Sequence, residues 1–345
     1  MLTVFGETHA IAHDYYFTSR EDHPLSKFRN EIGLGENVVL EICQKIDKAI
    51  GEILSAAPQN ARVVIFTPHG MRANQSDLQS TTFLPELLLR KQFPGQGFFE
   101  NQPLSEKPGP LMTRPVKKNW ADEAWRLKKE PNPLRALMKK VLPFNVLWKL
   151  DKILKTPEGK TFFVPYEHFS YRAVQPGYWY RHLWHTMRYY ALPTYGDGSV
   201  RINVIGRESN GLVDPADYAQ TCDEVEDFLS ECRSSRTGAP LVKRIIRTRK
   251  DPLDKNPKLP ISDLVVLWGP ESADVVEHPE AGRVGPLPLA RTGSHVRAGF
   301  YLAAGPGIAP GVRNKPENAI HLTSTLLHHM GCPVPDYMDA KKILF

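Results

Sequence analysis

The sequence has no apolar run of about 18 residues, the length a membrane-crossing helix needs. It has only four cysteines, Cys43, Cys222, Cys232 and Cys332, and no CxxC pair among them. That argues against a zinc knuckle and suits reduced thiols, so a cytoplasmic location is expected. The first residues, MLTVFGETHAIAHD, lack a basic region followed by a long apolar stretch, so no signal peptide is expected. No GxSxG elbow is present, which removes the simplest serine-hydrolase reading. Gly206, Arg207 and Gly211 in GRESNGLVDP lack the GK(S/T) ending and the close glycine spacing of a phosphate loop. No internal repeat is visible.

What is present begins with an uneven charge. The chain has 345 residues and a net charge of +6. Residues 106 to 160 hold 14 Lys and Arg against 6 Asp and Glu, so this segment carries the whole excess. On either side of it the pattern is that of a sheet flanked by helices. Met1 to Gly6 reads as a strand. Val39, Ile42, Ile46, Ile50 and Ile53 recur at helical spacing in NVVLEICQKIDKAIGEILSAA. A strand at 62–67 and a helix at TTFLPELLLRK follow. From about 95 to 190 prolines, lysines and aromatics crowd together, and the segment reads as an inserted cap. The strand and helix pattern resumes at GSVRINVIGRE, with Asp214 as an N-cap before Pro215. Strands at 241–248, 263–268 and 299–304 precede a helix at HLTSTLLHHMG that Gly331 ends.

Histidines stand just after three of these strands. GETHAIAHD brings Glu7, His9, His13 and Asp14; TPHGM brings His69; RTGSHVRAGF brings His295. His9 and His13 are four apart, a spacing that places both on one face of a helical turn. Taken singly, each histidine has an ordinary structural reading. Together, at strand ends far apart in sequence, they favour a metal site. His182 and His185 have no carboxylate or cysteine close in sequence and read as packing residues, and His328 with His329 lie near a helix end, where the dipole favours a cationic histidine.

VVIFTPHGM resembles the (S/T)DHGM segment of the alkaline phosphatase superfamily, in particular its type I phosphodiesterase/nucleotide pyrophosphatase-like branch. GETHAIAH is similar to that superfamily's earlier metal-binding segment, where an Asp precedes a His by four positions. RTGSHVRAGFYLAAGPGIAPG is similar to its late segment, where a His precedes a strand ending in Gly-Pro-Gly. INVIGRESNGLVDP and HLTSTLLHHMGCPVPDYMD also resemble the branch's bacterial phosphohydrolase/phosphomutase-like members. The resemblance implies a three-layer α/β core over 1–94 and 191–345, with the basic, aromatic-rich cap at 95–190 inserted into it. It also implies a metal-dependent hydrolase of phosphoric or sulfuric esters with a two-ion zinc or manganese site, in which His13 and His295 match ligands of one ion and His69 a ligand of the other.

The departures shape the expectation further. His9 stands where the family has an Asp, and Pro68 stands where a carboxylate precedes the His of the second site. No segment matches the module that carries the nucleophile. Glu7 or Asp14 could compensate at the first site, since alternation along a strand would send Glu7 and His9 to one side. The expectation is therefore a degenerate site that holds its divalent metal at reduced occupancy or not at all. The alternative is an inactive relative that serves in binding, or one completed by a separately encoded N-terminal half. Arg201 and Arg207 are candidate substrate contacts, against the plainer reading of an internal Arg207–Glu208 ion pair. For the cap, Trp120, Trp125 and Trp148 among lysines suit a nucleic acid or an anionic membrane surface. The plainer reading there is tryptophans packed inward with lysines in water.

Overall fold

Helices and short antiparallel strands share the chain in the computed structural model, which describes residues 1–32, 35–112, 120–130, 132–153, 176–289, 291–312, 316–339 and 342–345. The chain divides into two units. The first comprises Met1–His9, Val39–Arg72 and His295–Phe345, and the second Ala10–Val38 and Ala73–Ser294.

In the first unit the helical reading of 37–57 holds: α2 spans Val38–Ser55, and its isoleucine stripe is half-buried. The expected strand at Met1–Gly6 is absent. That segment has no regular structure, and helix α1 (Glu7–Tyr15) begins directly after it. Leu2 and Val4 stay exposed, and among the described residues no strand pairs with this segment to supply the ladder a strand needs. Strand β1 (Val63–Thr67) pairs antiparallel with β11 (Phe300–Ala304), Ile65 opposite Leu302. Arg62 fastens the start of β1, its Nε donating to the Pro306 carbonyl and its Nη1 to the His329 carbonyl, each at 2.8 Å. Helix α9 (Ile320–His329) ends as expected, with Gly331 in the left-handed region at φ +70°. There the Cys332 amide donates to the Leu327 carbonyl at 2.9 Å.

The second unit is built on a four-stranded sheet in the order β3 (Tyr189–Leu192), β4 (Gly198–Ile202), β7 (Leu264–Trp268), β6 (Val242–Arg247). Each neighbouring pair is antiparallel, with Tyr190 opposite Arg201, Val200 opposite Leu264 and Ile245 opposite Val266. The expected α/β class is met in its coarse form, a mixture of helix and sheet, and the described strands form small antiparallel sheets. The connection from β3 to β4 spans only 193–197, which suits an antiparallel turn and is too short for a parallel crossover. Burial alternates along β4, with Gly198, Val200 and Ile202 inside. Helix α3 (Leu84–Gln92) is enclosed: Leu84, Leu87, Leu88 and Leu89 are buried, each contributing about 2 kcal/mol. Its buried Glu86 is fully engaged, accepting from Arg90 Nε at 2.9 Å, the Phe98 and Phe99 amides and the Tyr180 hydroxyl at 2.6 Å. Asp214 caps the turn before helix α8 (Tyr218–Ser230), accepting from the Ala216 amide at 2.9 Å.

The basic segment forms helices α4 (Trp120–Leu127), α5 (Pro133–Val141) and α6 (Phe144–Ile153) in the second unit. Trp125 is buried, as the inward-packing reading requires, but Lys139 is buried with it, its Nζ 4.6 Å from the indole centroid. The side chains of Trp120 and Trp148, and all of residues 154–175, lie outside the described residues. The aromatics that follow, Trp179, Tyr180, Tyr189 and Tyr190, join the core.

Candidate metal centre

Three of the expected histidines meet in the first unit. His9 comes from the first turns of α1, His69 from the link between β1 and strand β2 (Gly70–Ala73), and His295 from strand β10 (Gly293–Val296). One nitrogen from each lies within 4.8 Å of the other two. The His69 and His295 rings stack at 3.8 Å between centroids, and His9 is 5.5 and 5.0 Å from them.

Glycines allow the approach. A Cβ on Gly70 would stand 2.7 Å from the Ala298 carbonyl oxygen, and one on Gly299 would stand 1.9 Å from that of Thr67 and 3.0 Å from the His69 amide. The backbones that carry His69 and His295 can therefore run side by side only with glycine at both positions. His69 Nδ1 is 3.3 Å from the Gly70 carbonyl. The tautomer protonated there leaves the Nε2 lone pair for a metal, with the ring oriented by its second nitrogen.

The donor set fits a divalent ion of zinc type. Three imidazoles from three segments form the ligand set of known catalytic zinc sites, with at least one position open. Zinc–nitrogen bonds of about 2.0–2.1 Å would place tetrahedral donors about 3.4 Å apart. The three rings would have to draw closer to hold such an ion, and the His69–His295 stack would open.

The other expected ligands are placed elsewhere. His13 is buried in the second unit, its Nδ1 2.7 Å from the Gly293 carbonyl. Asp14 also belongs to the second unit, and its carbonyl accepts from the Thr292 hydroxyl at 2.9 Å. Glu7 does not share a side with His9 in the way a strand would arrange: both lie on α1, where residues two apart point in different directions. Neither carboxylate belongs to the cluster.

Arg201 and Arg207 are held by internal partners in the second unit. Arg201 Nη2 meets Glu208 at 2.6 Å, and Arg207 Nη2 meets Asp263 at 2.7 Å while its Nε donates to Glu208 at 3.0 Å. Asp263 is fully buried; it also accepts from the Ile202 amide at 2.8 Å and the Tyr218 hydroxyl at 3.1 Å, with Arg249 at 3.2 Å. The plain ion-pair reading of Arg207 is the observed one, and its larger partner, Asp263, carries no signal in the local sequence.

Lys139 and Lys128 were not singled out by sequence. Burial pushes the Lys139 ammonium down to about 7 and that of Lys128 to about 8. Lys128 follows the end of α4 and Lys139 lies in α5, each among other basic residues, so no local pattern marks them. No known protein family, no curated protein and no solved structure matches this chain.

Proposed function

We propose that His9, His69 and His295 bind one divalent metal ion, and that the chain is a metal-dependent hydrolase of phosphoric or sulfuric esters with the three-layer core of the alkaline phosphatase type. The observation that carries the reading is the convergence of three imidazoles from distant segments within 4.8 Å. The resemblance of the flanking motifs supplies the reaction class. Charge supplies the substrate class: the three imidazoles bind as neutral ligands, so an ion held by them keeps its full positive charge and attracts an anionic ester. Such an ion polarises a phosphoryl or sulfuryl oxygen and lowers the pKa of bound water. The protein's own part is to hold that ion on Nε2 of His69 and on the other two rings, beside an exposed approach, since His9 and His295 are both exposed.

One feature favours the inactive relative as a second reading. Pro68 sits beside His69 without any ligand atom, and the cluster contains no carboxylate. The two readings separate in one experiment. Zinc and manganese are titrated calorimetrically, and turnover of bis-nitrophenyl phosphate is then measured on the loaded protein. One ion per chain, lost in His69→Ala and His295→Ala, with turnover lost in parallel, supports the hydrolase. One ion without turnover leaves a metal-binding accessory protein. No ion at millimolar metal refutes both.

A further inference from the structure

Helix α5 turns large apolar residues away from the core. Leu134, Leu137 and Val141 recur at i, i+3 and i+7, on one face of the helix, and are 64%, 59% and 70% exposed. Its inward side holds Lys139, with Met138 and the following Leu142 packed against the core. Three sets of bonds fix that orientation. The Asn132 side chain caps the start, accepting from the Leu134 and Arg135 amides at 3.0 and 3.1 Å. The Arg126 guanidinium holds the end, donating to the Lys139 carbonyl and, at 2.9 Å, to that of Leu142. The Lys139 ammonium donates in turn to the Lys128 carbonyl. Rolling α5 to bury its leucines would break these bonds and carry the lysine outward.

Helix α6 repeats the arrangement. Leu147 is buried and Leu150 packs against the core, while Val146, Lys149 and Ile153, again at i, i+3 and i+7, are exposed. The charge of this segment has one sign. Residues 131–150 contain Arg135, Lys139, Lys140 and Lys149 and no Asp or Glu. Lys140 and Lys149 are exposed, Lys140 next to Val141 and three residues from Leu137.

We propose that the α5–α6 segment docks on an anionic lipid surface, its exposed aliphatic side chains at the boundary below the headgroups and Lys140 and Lys149 on the headgroups themselves. Charge and side-chain type together choose this occupant. A second copy would set the same cations against these, with no acid in 131–150 of either copy to offset them. A nucleic acid would answer the charge, but it is held by stacked aromatic rings. Trp125 is buried, and the exposed apolar side chains described on these faces are aliphatic. A bilayer with anionic lipids answers both properties and asks for no matching shape. Aliphatic side chains enter the acyl boundary, and lysines reach back along their stems to the headgroups. At nine and ten residues neither helix is long enough to cross, so the contact lies along the surface.

Flotation of the full chain with vesicles tests this, in the presence of EDTA so that the outcome does not depend on the metal site. At about 0.05 M salt the wild type should float with phosphatidylcholine vesicles that carry about 30% phosphatidylserine, and should bind pure phosphatidylcholine about tenfold more weakly or less. Raising the salt to about 0.5 M should weaken the first of these. Leu137→Gln with Val141→Gln leaves the charge unchanged and should still cost about tenfold in binding. Lys140→Gln with Lys149→Gln should cost a similar factor. All four side chains are exposed, and circular dichroism should find both pairs of variants folded. No flotation at low salt overturns the proposal, and so does binding that the Leu137 and Val141 pair leaves unchanged. A single-stranded oligonucleotide bound more tightly than the vesicles overturns it in favour of nucleic acid. A dimer that forms without vesicles and is lost in the Leu137 and Val141 pair overturns it in favour of a second copy.

Discussion

Replacing Lys139 by Met should stabilise the second unit at neutral pH and remove part of its pH dependence. Lys139 is 5% exposed, and its ammonium is pushed down to about 7 by burial first, and then by the neighbouring cations Lys128 and Arg126 against the opposing pull of Glu130. In the unfolded chain the group titrates at the ordinary lysine value of 10.5. Between about 7 and 10.5 the unfolded state therefore holds a proton that the folded state has released. Stability rises with pH across that window, by about 1.4 kcal/mol per pH unit for one such group, and levels off below the lower value. Two contacts oppose the shift: Nζ donates to the Lys128 carbonyl at 2.5 Å and lies 4.6 Å from the Trp125 ring, together worth about 1–3 kcal/mol to the charged form. Against a full penalty of about 5 kcal/mol, this leaves a net gain of roughly 2–4 kcal/mol for Lys139→Met at pH 7. Lys128, pushed down to about 8, adds a second group of the same sign. The slope of stability between pH 8 and 10 should thus fall to about half in the variant, with Lys128 alone remaining. Urea unfolding followed by tryptophan fluorescence at several pH values reads both quantities. A variant less stable than wild type at every pH, with an unchanged slope, would show a permanently charged ammonium held by Trp125 and the Lys128 carbonyl, and the reasoning would fail.

Other perturbations probe other parts of the molecule. Gly70→Ala should abolish metal binding while sparing the second unit, because the new methyl would stand 2.7 Å from the Ala298 carbonyl and push His69 out of the cluster; calorimetry and circular dichroism check the two halves of the statement. Arg207→Ala should cost about 3 kcal/mol in urea unfolding by removing the two-armed partner of the fully buried Asp263, and a loss below about 1 kcal/mol would count against the ion-pair account. Asp214→Ala should cost about 1 kcal/mol through the lost cap on the Ala216 amide. His23 is buried and its Nδ1 accepts from the Leu25 amide at 3.1 Å, and burial pushes its pKa to about 4. Its folded value is depressed, so its contribution is intact above the ordinary 6.5 and is lost as pH falls from there towards 4. Nuclear magnetic resonance should find the His23 ring neutral at pH 5.

Elements with a strong local signal were legible in the sequence. The isoleucine period gave α2, the Asp214–Pro215 pair gave the start of the α8 segment, and Gly331 gave the end of α9, because each depends on residues a few positions apart. The strands at 63–67 and 264–268 were legible as apolar runs and that at 242–247 by its β-branched residues, but their pairing was not. Whether β4 meets β7 antiparallel or parallel is decided by partners more than sixty residues away. Met1–Gly6 read as a strand for the same reason: an alternating apolar stretch becomes a strand only where a neighbour supplies the ladder. His69 and His295 were legible as site residues, His69 beside Gly70 after a strand and His295 two residues after Gly293. The third member was ambiguous, because the four-residue spacing of His9 and His13 puts both on one face and cannot say which is buried. The buried Gly293 carbonyl takes His13 and leaves His9 with the cluster.

Pro68, which stands where the resembled family has a carboxylate, gains meaning from that outcome. A metal held by imidazoles and a carboxylate has part of its charge cancelled, whereas one held by His9, His69 and His295 has none cancelled. Such a site would bind its ion more weakly, and any bound ion would draw an anion more strongly. Pro68→Asp should therefore separate affinity from turnover. A carboxylate adjacent to His69 should tighten zinc binding by about tenfold, the effect of one added favourable contact of about 1.4 kcal/mol. It should also weaken competition by inorganic phosphate for the loaded site, since the ion's field is partly spent on the protein. If phosphate competes equally well in both forms, the charge of the ion is not what selects the substrate, and the ester specificity must be sought in groups outside the histidine cluster.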